Sequence, residues 1–98
     1  MDKYTVTHYI TTDWLDKPIV RVCIQDNEIE DEESARCFRI WNSIEVECPG
    51  FFDKLFKRTL EMKVNKAIKA QQERADYMNY ENIKKNKKLE CMHKKLNI

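Results

Sequence analysis

The chain has 98 residues, 42% hydrophobic and 36% charged, with a formal net charge of +1, one Gly and two Pro. That length makes a single domain, 1–98, with a modest core, and so little Gly and Pro exclude Gly-rich phosphate loops and favour long regular elements. No apolar stretch approaches the roughly 20 residues of a membrane-spanning helix, so no membrane partner is expected.

Residues 3–10 alternate, with Tyr4, Val6, His8 and Ile10 on one face and Thr5, Thr7 and Tyr9 on the other. A period of two with β-branched residues predicts a strand. Residues 11–18 read as a connection, and 19–25 as a second strand with Val20, Val22 and Ile24 inward. Residues 26–33 hold six acids in eight positions, a self-repelling run that predicts a solvated loop. Phe38, Ile40, Asn42, Ile44 and Val46 then alternate with Arg39, Trp41, Ser43, Glu45 and Glu47, predicting a third strand over about 35–47, broken near Asn42-Ser43. A helix over 32–44 is the competing reading. Pro49-Gly50 closes the β-rich half.

From Phe51 onward there is neither Pro nor Gly. Phe52, Phe56, Leu60, Val64 and Ile68 step by four, with Ala67 on the same stripe, which predicts an amphipathic helix covering the sheet. Val64, Ile68, Gln71, Ala75, Met78, Asn82, Lys85, Leu89, Met92 and Leu96 continue at alternating spacings of four and three, a heptad seam with a polar middle. A continuous helix over 51–97 would be about 70 Å long, far beyond the dimensions of a compact domain of this size. It must overhang, break or pair with a partner: a break near Asn79-Tyr80-Glu81-Asn82 would give a helical hairpin, a dimerising extension beyond about residue 70 is expected, and a frayed, solvated tail is the competing reading. The fold class is therefore α+β: a small antiparallel sheet of about three strands packed on a long C-terminal α-helix.

Charge divides along the same line. Residues 1–50 carry eleven acids and five bases, a balance of −6, and residues 51–98 carry thirteen bases and six acids, a balance of +7. The chain thus has an acidic half (1–48) and a basic half (51–98), and either suits electrostatic docking.

Catalytic and cofactor motifs are missing. The two histidines, His8 and His93, stand apart, and no CxxC pair completes a zinc site with Cys91 and His93. The acidic run is not an EF-hand loop, because Asp31 stands where the sharp turn needs Gly and Cys37 where the bidentate Glu belongs. No metal, cofactor or enzymatic activity is expected. The N-terminus, Met1-Asp2-Lys3-Tyr4, opens no apolar leader, so Cys23, Cys37, Cys48 and Cys91 read as reduced residues of a cytoplasmic protein. Richness in Lys, Asn and Ile suggests an AT-rich genome, such as that of a low-GC bacterium, its phages or certain viruses, with action in the host cytoplasm for a phage-encoded chain.

Three surfaces stand out. Glu28, Glu30, Asp31, Glu32 and Glu33 form an acidic patch able to dock on a basic channel of a protein partner. Arg21, Arg39 and Trp41, placed with Tyr9 on the outer sheet face, together with helix residues such as Lys63 and Lys66, suit nucleic-acid contact. Val64, Ile68, Met78, Leu89 and Met92 form a seam suited to a homodimer. The expected function is a non-enzymatic, phage-type or low-GC bacterial regulator or inhibitor docking on a host macromolecular complex. A nucleic-acid-binding accessory protein and a structural subunit of a larger assembly are the alternatives.

Overall fold

A computed structural model describes residues 2–96, and for Leu96 the backbone alone. Met1, Asn97 and Ile98, and with them the expected helix end at 97 and the seam side chain of Leu96, lie outside the described residues. The element order is β1 (Tyr4–Thr12), β2 (Pro18–Asp26), α1 (Glu32–Trp41), β3 (Ser43–Glu47), α2 (Phe51–Leu55) and α3 (Leu60–Leu96). The strands form one antiparallel sheet in the order β1-β2-β3, contacted by the long α3.

β1 and β2 pair along their whole length, from Tyr4 opposite Asp26 to Thr12 opposite Pro18. Their five-residue turn is organised by Asp13, whose carboxylate accepts from the Leu15 and Lys17 amides at 2.8 and 2.9 Å. Asp16 takes the left-handed conformation there (φ 60°), which Asp tolerates better than most residues. The alternation assigns faces as expected. Val20 and Val22, with Val6 and Val46, meet Leu60, Val64, Ala67 and Ile68 of α3 in the core. Ile24, also assigned inward, is fully buried. α3 runs diagonally, from β3 near its start (Lys63 Nζ donates to the Glu47 carbonyl, 2.9 Å) to β1 (Asn79 pairs with the Tyr4 backbone). One corner of that sheet face is therefore left bare, and Ile10 there is 80% exposed.

Two expectations are corrected. The predicted third strand over 35–47 is a helix, α1, followed by a short strand, β3. Local capping outweighs the alternation: the Asp31 carboxylate accepts from the Ser34 amide and hydroxyl at 2.9 and 2.7 Å, and Glu32 and Glu33 sit at the positive end of the helix. Asn42 ends it, its amide donating to the Phe38 carbonyl, and its own carbonyl accepts from the Ile24 amide at 3.0 Å, which starts the pairing with β2. The acidic run, expected as a loop over 26–33, is a loop only over 27–31, with Asp26 ending β2 and Glu32 and Glu33 opening α1. Arg39 and Trp41 belong to α1, not to a strand.

The second correction concerns the long helix, which is interrupted between Leu55 and Leu60. Lys57 adopts φ 56°, and Thr59 caps α3, its side-chain oxygen accepting from the Met62 amide at 3.2 Å. The break removes Phe52 and Phe56 from the sheet-covering stripe; they are 71% and 64% exposed.

α3 itself is 37 residues, about 55 Å at 1.5 Å per residue. The molecule measures 66 × 29 × 17 Å with a radius of gyration of 18.1 Å, against about 13 Å for a compact domain of this size. The excess is α3 beyond Asn82, where nearly all the described side chains are exposed.

Candidate functional surfaces

The acidic segment is divided by the fold. Asp26 is buried (8% exposed) beside Lys3 and accepts from the Glu28 amide at 3.0 Å. Asp31 is used as the α1 cap, and bonding from the Ser34 hydroxyl and then its amide holds its carboxyl below the usual range. Glu28, Glu30, Glu32 and Glu33 remain largely open to solvent, a patch at the end of the sheet from which α3 departs.

On the outer sheet face, Tyr9, Arg21 and Glu45 are cross-strand neighbours on β1, β2 and β3. The Arg21 guanidinium donates to the Tyr9 hydroxyl at 3.4 Å and to the Glu45 carboxylate at 2.6 Å. Hydrogen bonds to Tyr9 and then Glu45 raise its pKa above the ordinary value. α1 packs against β2 and brings Arg36, Arg39 and Ile40 to the same face. Arg21 and Arg39, expected together on a sheet, are thus brought together between a sheet and a helix. Arg36 joins them, a partner that the strand reading of this segment could not supply. Trp41 does not line this cleft and is 85% exposed. Lys63 and Lys66 are on α3, against the opposite face. Lys63 is engaged structurally, its ammonium 3.2 Å from the Asp53 carboxylate. The Gly50 amide and then Lys63 hold the Asp53 carboxyl below the usual carboxylate range.

The expected dimer seam is also divided. Val64 and Ile68 pack in the chain's own core, and Met78 is half-buried on the same helix face. Only Leu89 and Met92, 47% and 52% exposed, stand clear of the sheet.

A fourth surface lies outside these expectations. At the β1–β2 turn end, Trp14 is 89% exposed, and Leu15 beside it is also open. These two line a cleft with Cys48 and Gly50, immediately before α2. Phe51, Phe52, Leu55 and Phe56 follow, all exposed, with the Phe51 and Phe52 rings edge to face at 5.7 Å. The sequence signal is present in these residue types, but the four-residue spacing assigns Phe52 and Phe56 to the core. Only the turn at Lys57 reverses that assignment.

Among the described residues no group of three or more His, Cys, Asp or Glu side chains is placed to hold a metal ion. The four cysteines are unpaired; Cys23 is buried, its sulfur 3.2 Å from the Thr7 hydroxyl, and Cys37, Cys48 and Cys91 are exposed. No helix is long and apolar enough to cross a membrane among those residues. No family model matches the chain, and neither the curated proteins nor the solved structures compared with it yield a match.

Proposed function

We propose that this is a non-catalytic binding protein, a small cytoplasmic regulator or inhibitor that docks on a protein partner through its apolar end. The observation that carries the reading is a set of large apolar side chains left open to solvent: Trp14 and Leu15, which line a cleft at the β1–β2 turn with Cys48 and Gly50, and Phe51, Phe52, Leu55 and Phe56, which follow Gly50 in the chain. Single exposed apolar residues are ordinary, but large apolar surfaces concentrated at one end mark interaction sites, and Trp and Phe are the residue types that anchor them. The acidic patch of Glu28, Glu30, Glu32 and Glu33 lies at the far end of the sheet. In this reading it steers association, contributing rate more than affinity.

The test is comparative capture from host extract by the wild-type chain, by Trp14→Ala/Phe52→Ala, and by Glu30→Lys/Glu32→Lys. The reading expects one partner retained by wild type, lost with the aromatic variant at unchanged melting temperature, and retained by the charge variant with slower association. A partner captured equally by the aromatic variant would overturn it. So would sedimentation showing a defined homo-oligomer that the aromatic substitutions dissolve, because the apolar end would then be a self-association face.

A further inference from the structure

The cleft between α1 and the outer sheet face has a volume of about 430 Å³ and is walled by Thr7, Tyr9, Arg21, Gln25, Arg36 and Arg39, with Ile40 at its apolar side. Among the described residues only one of these three arginines forms an ion pair. Glu45 pairs with Arg21 alone. Neither Arg36 nor Arg39 forms an ion pair among the described residues, although Glu32 and Glu33 lie one turn before Arg36 on the same helix. The Arg21 Nε is buried and has no hydrogen-bond partner. A buried donor left unpaired is costly, and it marks Arg21 as a side chain whose hydrogen-bonding capacity the chain does not fully use.

We propose that this cleft binds a nucleoside phosphate. Guanidinium forks match the oxygen geometry of phosphate, and charge-assisted bonds of that kind are the strong ones. Glu45 pairs with Arg21, which leaves Arg36 and Arg39 to meet the charge of a phosphate monoester near neutral pH, although Arg36 also borders Asp31, Glu32 and Glu33 on its other side. The volume is too large for the bare anion and within the usual range for small-molecule sites. The rest of the lining suits the rest of the ligand. Tyr9, 40% exposed, offers a ring on which a base can stack, and Gln25 and Thr7 supply neutral polar groups for a sugar or base edge. The ligand is either a free mononucleotide or one nucleotide unit of a single strand; both present the same chemistry.

The experiment is an NMR titration of the full chain at low salt, reading backbone amides and arginine Nε–Hε signals, with inorganic phosphate, AMP and a short oligothymidylate as probes. Shifts with AMP should centre on Tyr9, Arg21, Arg36 and Arg39. Arg36→Gln/Arg39→Gln should weaken AMP binding about tenfold or more. Neither side chain forms an ion pair among the described residues, so the variant should keep the wild-type spectrum elsewhere. Trp41→Ala, outside the cleft, should leave the affinity unchanged. Tighter binding of the oligothymidylate with the same loss in the arginine variant identifies a single strand as the source, and preference for AMP a free nucleotide. Inorganic phosphate binding as tightly as AMP overturns the nucleoside assignment. No shift with any probe, or binding undiminished in Arg36→Gln/Arg39→Gln, overturns the proposal altogether.

Discussion

From Leu60 to Asn82 helix α3 lies on the sheet, and from Ile83 to Leu96 the same helix, at the same heptad spacing, runs on without it. In the first stretch the best-buried residues include two side-chain amides, Gln71 at 1% and Asn79 at 7% exposure. In the second, the apolar Leu89 and Met92 stand half in solvent. Residue type alone would order these the other way. The difference lies in what stands opposite. Gln71 Nε2 donates to the carbonyls of Val22 and Asn42 at 3.3 and 3.1 Å, where the sheet and the α1–β3 junction present acceptors to the helix. Asn79 accepts from the Tyr4 amide and donates to the Tyr4 carbonyl at 2.9 and 3.1 Å, satisfying backbone groups that the edge strand β1 would otherwise expose. A polar residue is buried where the sheet gives it partners, and an apolar one stays exposed where the sheet has ended.

The comparison can be sharpened first by hydrogen exchange. Amides of α3 over about 64–80 should be protected close to the level of global unfolding, and those over 86–95 should exchange with almost no protection, a spread of several kcal/mol. Uniform protection along α3 would mean that the overhang is held by a partner, such as a second copy.

Next in size is Gln71→Glu, which places a carboxylate against two carbonyl oxygens. Loss of about 3 kcal/mol or more is expected in denaturant unfolding near neutral pH. The sign with pH follows from the burial. The introduced carboxyl would titrate above its unfolded value, so the penalty should shrink as pH falls through that raised pKa, when the protonated acid can again donate. A variant equally unstable at every pH would mean that the side chain had left the site.

Asn79→Ala should cost about 1–2 kcal/mol, because it unpairs two backbone groups that are only partly shielded. It should also raise exchange at the start of β1 before the rest of the sheet. The smallest effect is expected for Leu89→Ser/Met92→Ser, within about 0.5 kcal/mol of wild type in a monomer. A large loss that depends on protein concentration would show that the overhang is a dimer seam after all.

Much of the fold is legible in the order of the residues. The alternation over Tyr4–Ile10 and Val20–Ile24 assigns the face that α3 covers, because successive side chains of a strand point to opposite sides, but it does not show that Ile19 and Cys23 are buried on the other side of β2 or that His8 and Ile10 are left exposed. The stripe from Leu60 to Ile68 identifies the helical layer for the same kind of reason. The α1 segment misleads because Phe38 and Ile40 alternate by chance, while the decisive information is the Asp31–Ser34 cap. The break before α3 is legible in principle at Thr59, but a four-residue apolar step runs straight across it. Of the binding surfaces, Arg21, Arg39 and Tyr9 stand out by type and do meet in one cleft. Arg36 joins them only because the segment is helical, and Trp41 is left outside for the same reason.

Periodicity, capping chemistry and charge distribution are local properties of the chain, and they determined an α+β protein with an acidic β-rich half and a basic helical half. Which residues of those elements are covered depends on distances between segments far apart in the chain. Tertiary structure decided that Gln71 and Asn79 are interior and Leu89 and Met92 are not, and that three arginines from β2 and α1 line one cleft. Burial and convergence are set by the layer opposite, and a one-dimensional pattern carries no record of where that layer ends.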